Sequence, residues 1–175
     1  MGIIANYKYL SDKNLKELKA FYSEENETLG EAKEQNEDAE EQNEDAEILL
    51  DLDKMWDALH FVLTGASSSE PIKNNPFSEA VVGVSSIEGV EEFISYTEKS
   101  RVKDIVFALD HFDIEKAMEN FSMKECRKAN IYPDIWNYEE ETDEIKEELM
   151  DYFQNLKDFY KKILEVNGNV MVTIC

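Results

Sequence analysis

Short stretches of apolar and aromatic residues lie near both ends of the chain, and apolar positions recur with helical spacing between them. The stretch from Ile3 to Leu10 is rich in β-branched and aromatic residues, and the stretch from Val170 to Ile174 is apolar. Both patterns predict strands. Strands near both termini with helices between them predict an α+β fold, in which a small mixed sheet packs against several helices in a single compact domain.

The clearest element is a long amphipathic helix that precedes the last strand. Its apolar positions form one stripe: Ile145, Leu149, Tyr152, Phe153, Leu156, Tyr160 and Ile163. Acidic residues crowd the start of this helix, and Lys161 and Lys162 lie near its end, as the helix dipole favours. The Asn167-Gly168 pair then predicts where the helix ends.

Shorter elements are predicted in the middle of the chain. Ser11 is a candidate N-cap for a first helix, and Asp51 or Asp53 is a candidate cap for a second helix, which runs to Thr64 and is stopped by Gly65. Residues 66–76 predict a loop, since they are rich in Ser, Asn and Pro. Further predictions are helices at 99–110, 114–121 and 123–129, a strand at 93–96, a short strand or helical turn at 80–84, and a Pro-containing aromatic loop at 131–138.

One segment departs from these patterns. Residues 24–47 consist mainly of Glu, Asn, Gln and Ala, and they contain the sequence EQNEDAE twice in tandem, at 34–40 and 41–47. A seven-residue copy would rotate a helix by only about 20°, but dense like charge weakens a helix. We interpret the segment as an acidic low-complexity insert, helical or disordered, within a single domain that spans residues 1–175.

Acidic residues dominate the composition. Forty Asp and Glu against eighteen Lys and Arg give a formal net charge of -22. Such a surface repels phosphate backbones and anionic membranes, so neither a nucleic acid nor a membrane is predicted as a partner. Two explanations remain, namely solubility and the electrostatic steering of a basic protein partner.

The cysteines and the N-terminus bear on the cellular compartment. Cys126 and Cys175 are the two cysteines, and no CxxC motif is present, which fits a reducing compartment. The N-terminal residues lack the features of a signal peptide, and no apolar run approaches the ~18 residues of a membrane span. The sequence therefore predicts a cytoplasmic protein, and it predicts no oligomeric state.

The stretch LDLDKMWDALHFVLTG at residues 50–65 carries a family resemblance. It resembles the signature of the YfbM-like family, bacterial proteins that share a domain of unknown function. MGII at 1–4, NPFSEAVVG at 75–83 and IYP at 131–133 extend the resemblance over nearly the whole chain except residues 24–47. The resemblance implies a compact domain of α/β type, with no established activity and no catalytic residue to transfer.

A polar stripe on the predicted helix at 53–64 is the main candidate for chemistry. On a helical wheel, Asp53, Asp57, His60 and Thr64 fall within about 60° of one another, beside an apolar core face. A polar stripe on a covered helix can line a pocket, so Asp53, Asp57 and His60 are candidate catalytic residues. The structural alternative is that Asp53 caps the helix, Asp57 pairs with His60, and Thr64 bonds to the carbonyl four residues earlier.

Four residues are candidates for ligand binding: Trp56, Thr64, Tyr132 and Trp136. Trp56 would form a stacking wall, and the loop from Tyr132 to Trp136 would close a pocket beside it. The structural alternative is that this loop anchors the core. No metal site or cofactor is predicted, because the chain has no HExxH motif, no set of Cys and His ligands and no Gly-rich phosphate loop.

Two hypotheses of function follow from these patterns. The first is a non-enzymatic binding protein whose acidic surface engages a basic protein partner, for example a toxin that it neutralises. The second is a small-molecule-binding domain or a hydrolase that uses the polar stripe on the helix at 53–64. We favour the first hypothesis, because acidic charge is abundant while no complete catalytic constellation is visible.

Overall fold

The computed structural model describes residues 2–23 and 48–175. Its strands are β1 (Ala5–Leu10), β2 (Leu49–Asp53), β3 (Ser85–Ser86), β4 (Phe93–Thr97) and β5 (Asn169–Ile174). Its helices are α1 (Asp12–Ser23), α2 (Trp56–Thr64), α3 (Pro76–Val82), α4 (Lys99–His111), α5 (Ile114–Glu119), α6 (Met123–Lys128) and α7 (Thr142–Glu165), with a 3-10 turn at Glu139–Glu141. The predicted acidic insert and its tandem repeat lie outside the described residues.

The five described strands form one sheet in the order β2-β1-β5-β4-β3. Tyr7 of β1 pairs with Leu50 of β2 on one side and with Val172 of β5 on the other. The α+β class is confirmed, but the sheet is antiparallel rather than mixed. β1 and β4 run in one direction, and β2, β5 and β3 run in the opposite direction.

The two faces of the sheet are covered differently. Ala5 and Tyr7 of β1 are buried, while Asn6 and Lys8 between and beyond them are half-buried, as strand alternation requires. The buried face packs against α3 and α7. On the opposite face the Lys19 ammonium of α1 lies 5.1 Å from the centre of the Tyr96 ring of β4.

The second predicted helix begins later than expected. Residues 49–53 form a strand, because Leu50 and Leu52 are buried and alternate with exposed residues in the period of a strand, not of a helix. At its end, the Asp53 N–H donates to the Asp51 carboxylate at 2.6 Å, and Asp53 adopts a positive φ of 47°. The chain therefore turns before α2 begins at Trp56.

Helix α3 replaces the short strand or helical turn predicted at 80–84. Asn75 caps its start by accepting a hydrogen bond from the Phe77 N–H at 2.9 Å, and Pro76 occupies the first helical position. The helix ends at Val82, and Gly83 follows with φ 77° and ψ 173°. Asn75 and Pro76 are thus a signal for the start of a helix that is visible in the sequence, although the apolar run after them is also compatible with a strand.

The buried end of α3 is closed by three hydroxyl groups from other elements. The carbonyl oxygens of residues 80, 81 and 82 accept hydrogen bonds from Tyr160 at 2.7 Å, Tyr7 at 2.6 Å and Ser95 at 2.6 Å, respectively. These carbonyls lie in the last helical turn, where no partner within the helix is available. Burial raises the pKa of both Tyr7 and Tyr160, so each phenol stays a donor.

The long C-terminal helix is confirmed as α7, which extends over 24 residues. Its buried residues are Ile145, Leu149, Phe153, Leu156, Phe159, Tyr160 and Ile163. Tyr152 of the predicted stripe is only half-buried, and Phe159 is buried in addition. The helix ends as predicted near Asn167, which has a φ of 52°, and the Gly168 N–H donates to the Ile163 carbonyl at 3.0 Å.

Candidate functional site

Helix α2 carries three of the four residues of the predicted polar stripe, namely Asp57, His60 and Thr64. Asp53 is not among them, because it lies exposed at the end of β2. It does not cap α2 either: Met55 precedes the helix, and no side chain there accepts a hydrogen bond from the first turn. The prediction that Asp53 belongs to the stripe is therefore wrong, since a strand replaces the first turn of the predicted helix.

His60 is fully buried, with no exposed surface. Its Nδ1 lies 2.7 Å from the Ala66 carbonyl oxygen, and its Nε2 lies 2.8 Å from the Ser78 hydroxyl. Because a carbonyl oxygen can only accept, Nδ1 carries the proton, and Nε2 of the neutral ring accepts from Ser78. The Ser78 oxygen in turn accepts from the Ile72 N–H at 3.0 Å. Both ring nitrogens are thus used to hold the loop between α2 and α3.

Burial lowers the pKa of His60, and it outweighs the hydrogen bond to Ala66 and the negative charge of Asp57, which both raise the pKa. The ring is therefore neutral in the folded protein at neutral pH. In the unfolded chain the histidine takes up its proton near pH 6.5. The stabilising contribution of the neutral ring is complete above about pH 6.5 and is lost as the pH falls towards the lower pKa of the folded state.

We expect this histidine to make the wild-type protein more sensitive to mild acid than the variant His60→Gln. The free energy of unfolding, measured by urea denaturation between pH 5 and pH 8, should fall more steeply below about pH 6.5 in the wild type than in the variant, since glutamine does not titrate. Carboxylates titrate equally in both proteins, so the difference between the two pH dependences reports the titration of His60 alone. Parallel pH dependence of the two proteins would contradict a neutral buried His60.

Asp57 is also buried, with 4% of its surface exposed. One carboxylate oxygen accepts from the Ser68 N–H at 2.8 Å and from the Ser68 and Ser67 hydroxyls at 2.7 and 3.2 Å. The other oxygen accepts from the Tyr132 N–H at 2.8 Å. The carboxylate therefore ties two loops to α2 and makes no hydrogen bond to His60 among the described contacts.

Thr64 follows the structural alternative predicted for it. Its hydroxyl donates to the His60 carbonyl at 2.8 Å, four residues earlier, and accepts from the Ala66 N–H at 3.1 Å. The hydroxyl thus helps to turn the chain out of α2, beside Gly65, which has a φ of 79°.

Trp56 and Tyr132 hold the N-terminal segment. Their rings stack with centroids 5.6 Å apart and planes inclined by 29°. The Trp56 indole N–H donates to the Ile3 carbonyl at 3.0 Å, and the Tyr132 hydroxyl accepts from the Ile3 N–H at 2.8 Å. Trp56 is only half-buried, and both polar groups are used by the backbone of one residue. This pair is therefore a clamp on Ile3.

Trp136 does not face a pocket. It is 1% exposed, its indole N–H donates to the Ile131 carbonyl at 2.7 Å, and its ring packs edge-on against Phe121. The prediction that Trp136 closes a pocket beside Trp56 is therefore wrong, and the alternative of a core anchor describes it. A movement of this large ring out of the interior would leave a cavity in the core.

A cavity of about 290 Å³ does lie beside α2, but away from the polar stripe. Its residues from α2 are Phe61 and Val62, and the rest of its wall is formed by Ala117 of α5, Glu125 of α6 and the turn at 120–122 between these helices. A wider depression of about 570 Å³ lies on the sheet, where β1, β2 and β5 form its floor. Neither depression is lined by Asp57 or His60.

Sequence analysis did not identify Ser78 and Glu79, which lie next to each other on α3 and are both buried. The Glu79 carboxylate accepts from the Arg101 Nε at 2.7 and 3.0 Å, and this contact raises the pKa of the Arg101 guanidinium. The feature that distinguishes these two residues is their burial. A helix of seven residues is too short for its sequence pattern to show which side chains are buried. Both residues serve the packing of α3.

A second group of titratable residues lies where α7 passes the edge strand β2. Burial and the charge of Asp53 raise the pKa of Glu148. Burial, and then Glu148, Asp53 and Asp51, raise the pKa of Tyr152 to about 12. Among the described residues, no ion pair involves Asp51, Asp53 or Glu148. We refer to Asp51, Asp53, Glu148 and the neighbouring Asp151 as the acidic edge.

Glu148 is expected to destabilise the fold at neutral pH, because its charged form is disfavoured there. Glu148→Gln should raise the melting temperature at pH 7 by about 1–3 °C, as a gain of about half a kcal/mol does in a chain of this size. The neighbour Glu147, which is exposed as Glu148 is, provides the control, since Glu147→Gln removes the same charge on the same helix. An equal effect of both substitutions in thermal melts would contradict a local cause at Glu148.

In residues 2–23 and 48–175, no group of three or more His, Cys, Asp or Glu side chains is arranged to hold a metal ion. Within the same residues, no helix is both long and apolar enough to cross a membrane. Burial, helped by Asp57 and Glu125, raises the pKa of the Cys126 thiol to about 12, so this thiol stays protonated.

Comparisons with known proteins agree with the resemblance seen in the sequence. The model of the domain of unknown function DUF1877 matches residues 1–173. Protein YfbM of Escherichia coli strain K12 is 34% identical over 126 residues, which cover 71% of this chain and 75% of YfbM. The crystal structure of YfbM from Escherichia coli, a protein of unknown function, is similar with a TM-score of 0.76 and 26% identity, over 98% of this chain and 99% of that chain.

Proposed function

Because the chain belongs to the DUF1877 family of domains of unknown function, its role has to be inferred from its own residues, and we propose that it is a non-enzymatic binding protein whose acidic surface engages a basic protein partner. The acidic edge carries this proposal. It concentrates carboxylates at one border of the sheet, where burial, and then the negative charge of Asp53, raise the pKa of Glu148. A basic partner would relieve that repulsion.

The distribution of charge along the chain supports the proposal. Residues 24–47 contain twelve Asp and Glu and one Lys, so they hold half of the net charge of -22. The other half belongs to the described residues. There it includes the exposed acidic residues from Glu139 to Asp151, which continue along α7 to the acidic edge. A surface with one sign of charge over such an extent attracts an oppositely charged protein and speeds its association.

The hypothesis of a catalytic or small-molecule site on the polar stripe loses its main support. The polar atoms of Asp57 and His60 are all engaged, by neighbouring loops and by Ser78 of α3, and neither residue lines a described depression. A general base needs a substrate proton within about 3 Å. A substrate could reach His60 only if the loop between α2 and α3 moved away from it.

The proposal extends to the class of partner and to its compartment. A toxin that acts on nucleic acid needs a basic surface to bind phosphates, and an acidic protein that covers this surface would neutralise it. Two free thiols, at Cys126 and Cys175, fit the reducing environment of the bacterial cytoplasm, where we place the protein.

The test compares two variants that lose the same charge at different places. The edge variant carries Asp51→Asn, Asp53→Asn, Glu148→Gln and Asp151→Asn, and the control variant carries Glu70→Gln, Glu88→Gln, Glu91→Gln and Glu92→Gln. Each is used, beside the wild type, to capture proteins from a lysate of the source cell, and captured proteins are identified and repurified. All of the control positions are exposed, and none takes part in a described ion pair.

We expect a captured basic protein to associate with the edge variant about tenfold more slowly than with the control variant, because charges at an interface act mainly on the association rate. Association with the wild type should also slow steeply between low and physiological salt. Capture of no basic protein, or equal rates for the two variants, would refute the proposed function.

A further inference from the structure

We infer that the depression on the outer face of the sheet, beside the acidic edge, receives an apolar side chain of the basic partner, flanked by that partner's Lys or Arg residues. This inference rests on the proposed function and names the surface through which it operates. The outer face is the face of the sheet opposite α3 and α7. Its occupant is a partner segment with one large apolar residue between cations.

The pairing of β1 with β2 and β5 determines which side chains form the floor of the depression. Lys8 pairs with Leu49 of β2 and with Met171 of β5, so these three side chains form one row across the outer face. Asp51, Asn6 and Thr173 form the next row. With strands about 4.8 Å apart, each row spans about 10 Å from β2 to β5, which suits a single large side chain.

The floor offers exposed apolar surface beside its polar side chains. Leu49 is 67% exposed, more than any other large hydrophobic residue that the structure describes. The Lys8 stem lies between Leu49 and Met171 and extends their apolar surface. None of the residues that line the depression of about 570 Å³ over β1, β2 and β5 belongs to α1. A volume of this size is in the range of ligand-binding clefts.

Charge decides which kind of partner fits. Asp51 lines the depression itself, and Asp53 and Glu148 follow at the same border of the sheet. The partner's cations would meet these carboxylates while its apolar residue covers Leu49. Interfaces commonly combine a buried apolar anchor with a charged rim in this way, and the anchor contributes most of the affinity.

The experiment uses two synthetic lysine-rich peptides that differ at one central position, tryptophan in one and serine in the other. Binding is measured by fluorescence anisotropy to the wild type, to Leu49→Ser and to Phe107→Ser. Phe107 is the matched control, because it is 64% exposed and lies on α4, away from the outer face. All three proteins keep the same charge, so electrostatic attraction is constant.

We expect the wild type and Phe107→Ser to bind the tryptophan peptide about tenfold more tightly than the serine peptide, which corresponds to about 1.4 kcal/mol of apolar contact. Leu49→Ser should bind both peptides equally. The methyl resonance of Met171 should shift on addition of the tryptophan peptide, while those of the buried Met118 and Met123 should not.

Three results would overturn the docking surface while leaving the proposed function in place. The first is equal, salt-dependent binding of both peptides by the wild type. The second is a change of oligomeric state in Leu49→Ser, which would show that a second copy covers the face. The third is a shift of the Met171 resonance on deletion of residues 24–47 that matches the shift caused by the peptide. If neither peptide binds in a salt-dependent way, or if the edge variant binds both as well as the wild type does, the proposed function itself fails.

Discussion

Asp57→Ala should lower the free energy of unfolding by about 3–5 kcal/mol, although the residue was first considered as a catalytic candidate. The substitution removes the acceptor for the Ser68 and Tyr132 N–H groups, which lie on two different loops. Each backbone donor left buried without a partner costs about 1–3 kcal/mol. The measurement is urea denaturation at pH 7 followed by circular dichroism.

Two milder substitutions test this explanation. Asp57→Asn keeps the shape of the side chain, but in either orientation its NH₂ group points at a backbone N–H, so we expect it to cost about 2–3 kcal/mol. Ser67→Ala removes only the longest of the four hydrogen bonds, 3.2 Å, and should cost less than about 1 kcal/mol. A loss below about 1 kcal/mol for Asp57→Ala would show that the two loops are held by other contacts.

Gly83→Ala should cost about 4 kcal/mol, more than is usual for the addition of a single methyl group. Gly83 has φ 77° and ψ 173°, a conformation that is essentially restricted to glycine. A Cβ there would lie 2.3 Å from the Ser95 hydroxyl oxygen. That hydroxyl cannot turn away without losing its hydrogen bond to the Val82 carbonyl.

Gly65 is the matched control for this prediction. It also has a positive φ, of 79°, but a Cβ there would meet nothing within 4 Å. Gly65→Ala should therefore cost only the backbone strain of about 1–2 kcal/mol. Chemical denaturation of both variants separates strain from steric overlap, and equal losses would show that the overlap at Gly83 is relieved at little cost.

The periodic elements of the fold were predictable, since each has enough residues to show its period. The long stripe of α7 and the alternating strands at both ends identify themselves without neighbours. The boundary between β2 and α2 was not predictable from the wheel. Leu52, Met55 and Leu59 fit a helical spacing, and Leu50 and Leu52 fit a strand spacing equally well. The edge position of β2, which decides between them, depends on its pairing with β1.

The candidate site shows a different limit. The sequence correctly groups Asp57, His60 and Thr64 on one face of α2, because helical geometry alone determines it. Whether such a face lines a pocket or holds a loop depends on what covers it. Here the cover is the loop after Gly65, whose Ser68 and Ala66 engage Asp57 and His60. Short polar loops carry no periodic signal from which that cover could be derived.

The position of β5 has a consequence for how the protein is made. β5 lies between β1 and β4, and it pairs with both over nearly its whole length. A growing chain leaves the ribosome from its N-terminus, so β1 and β4 emerge without their common neighbour. The sheet cannot close until residues 169–174 have emerged, and up to that moment the apolar sides of β1, α3 and α7 have no complete partner. A nascent chain stalled before β5 should therefore be a strong client of chaperones and readily cleaved by proteases, whereas a chain in which β5 has also emerged should show the protected fold.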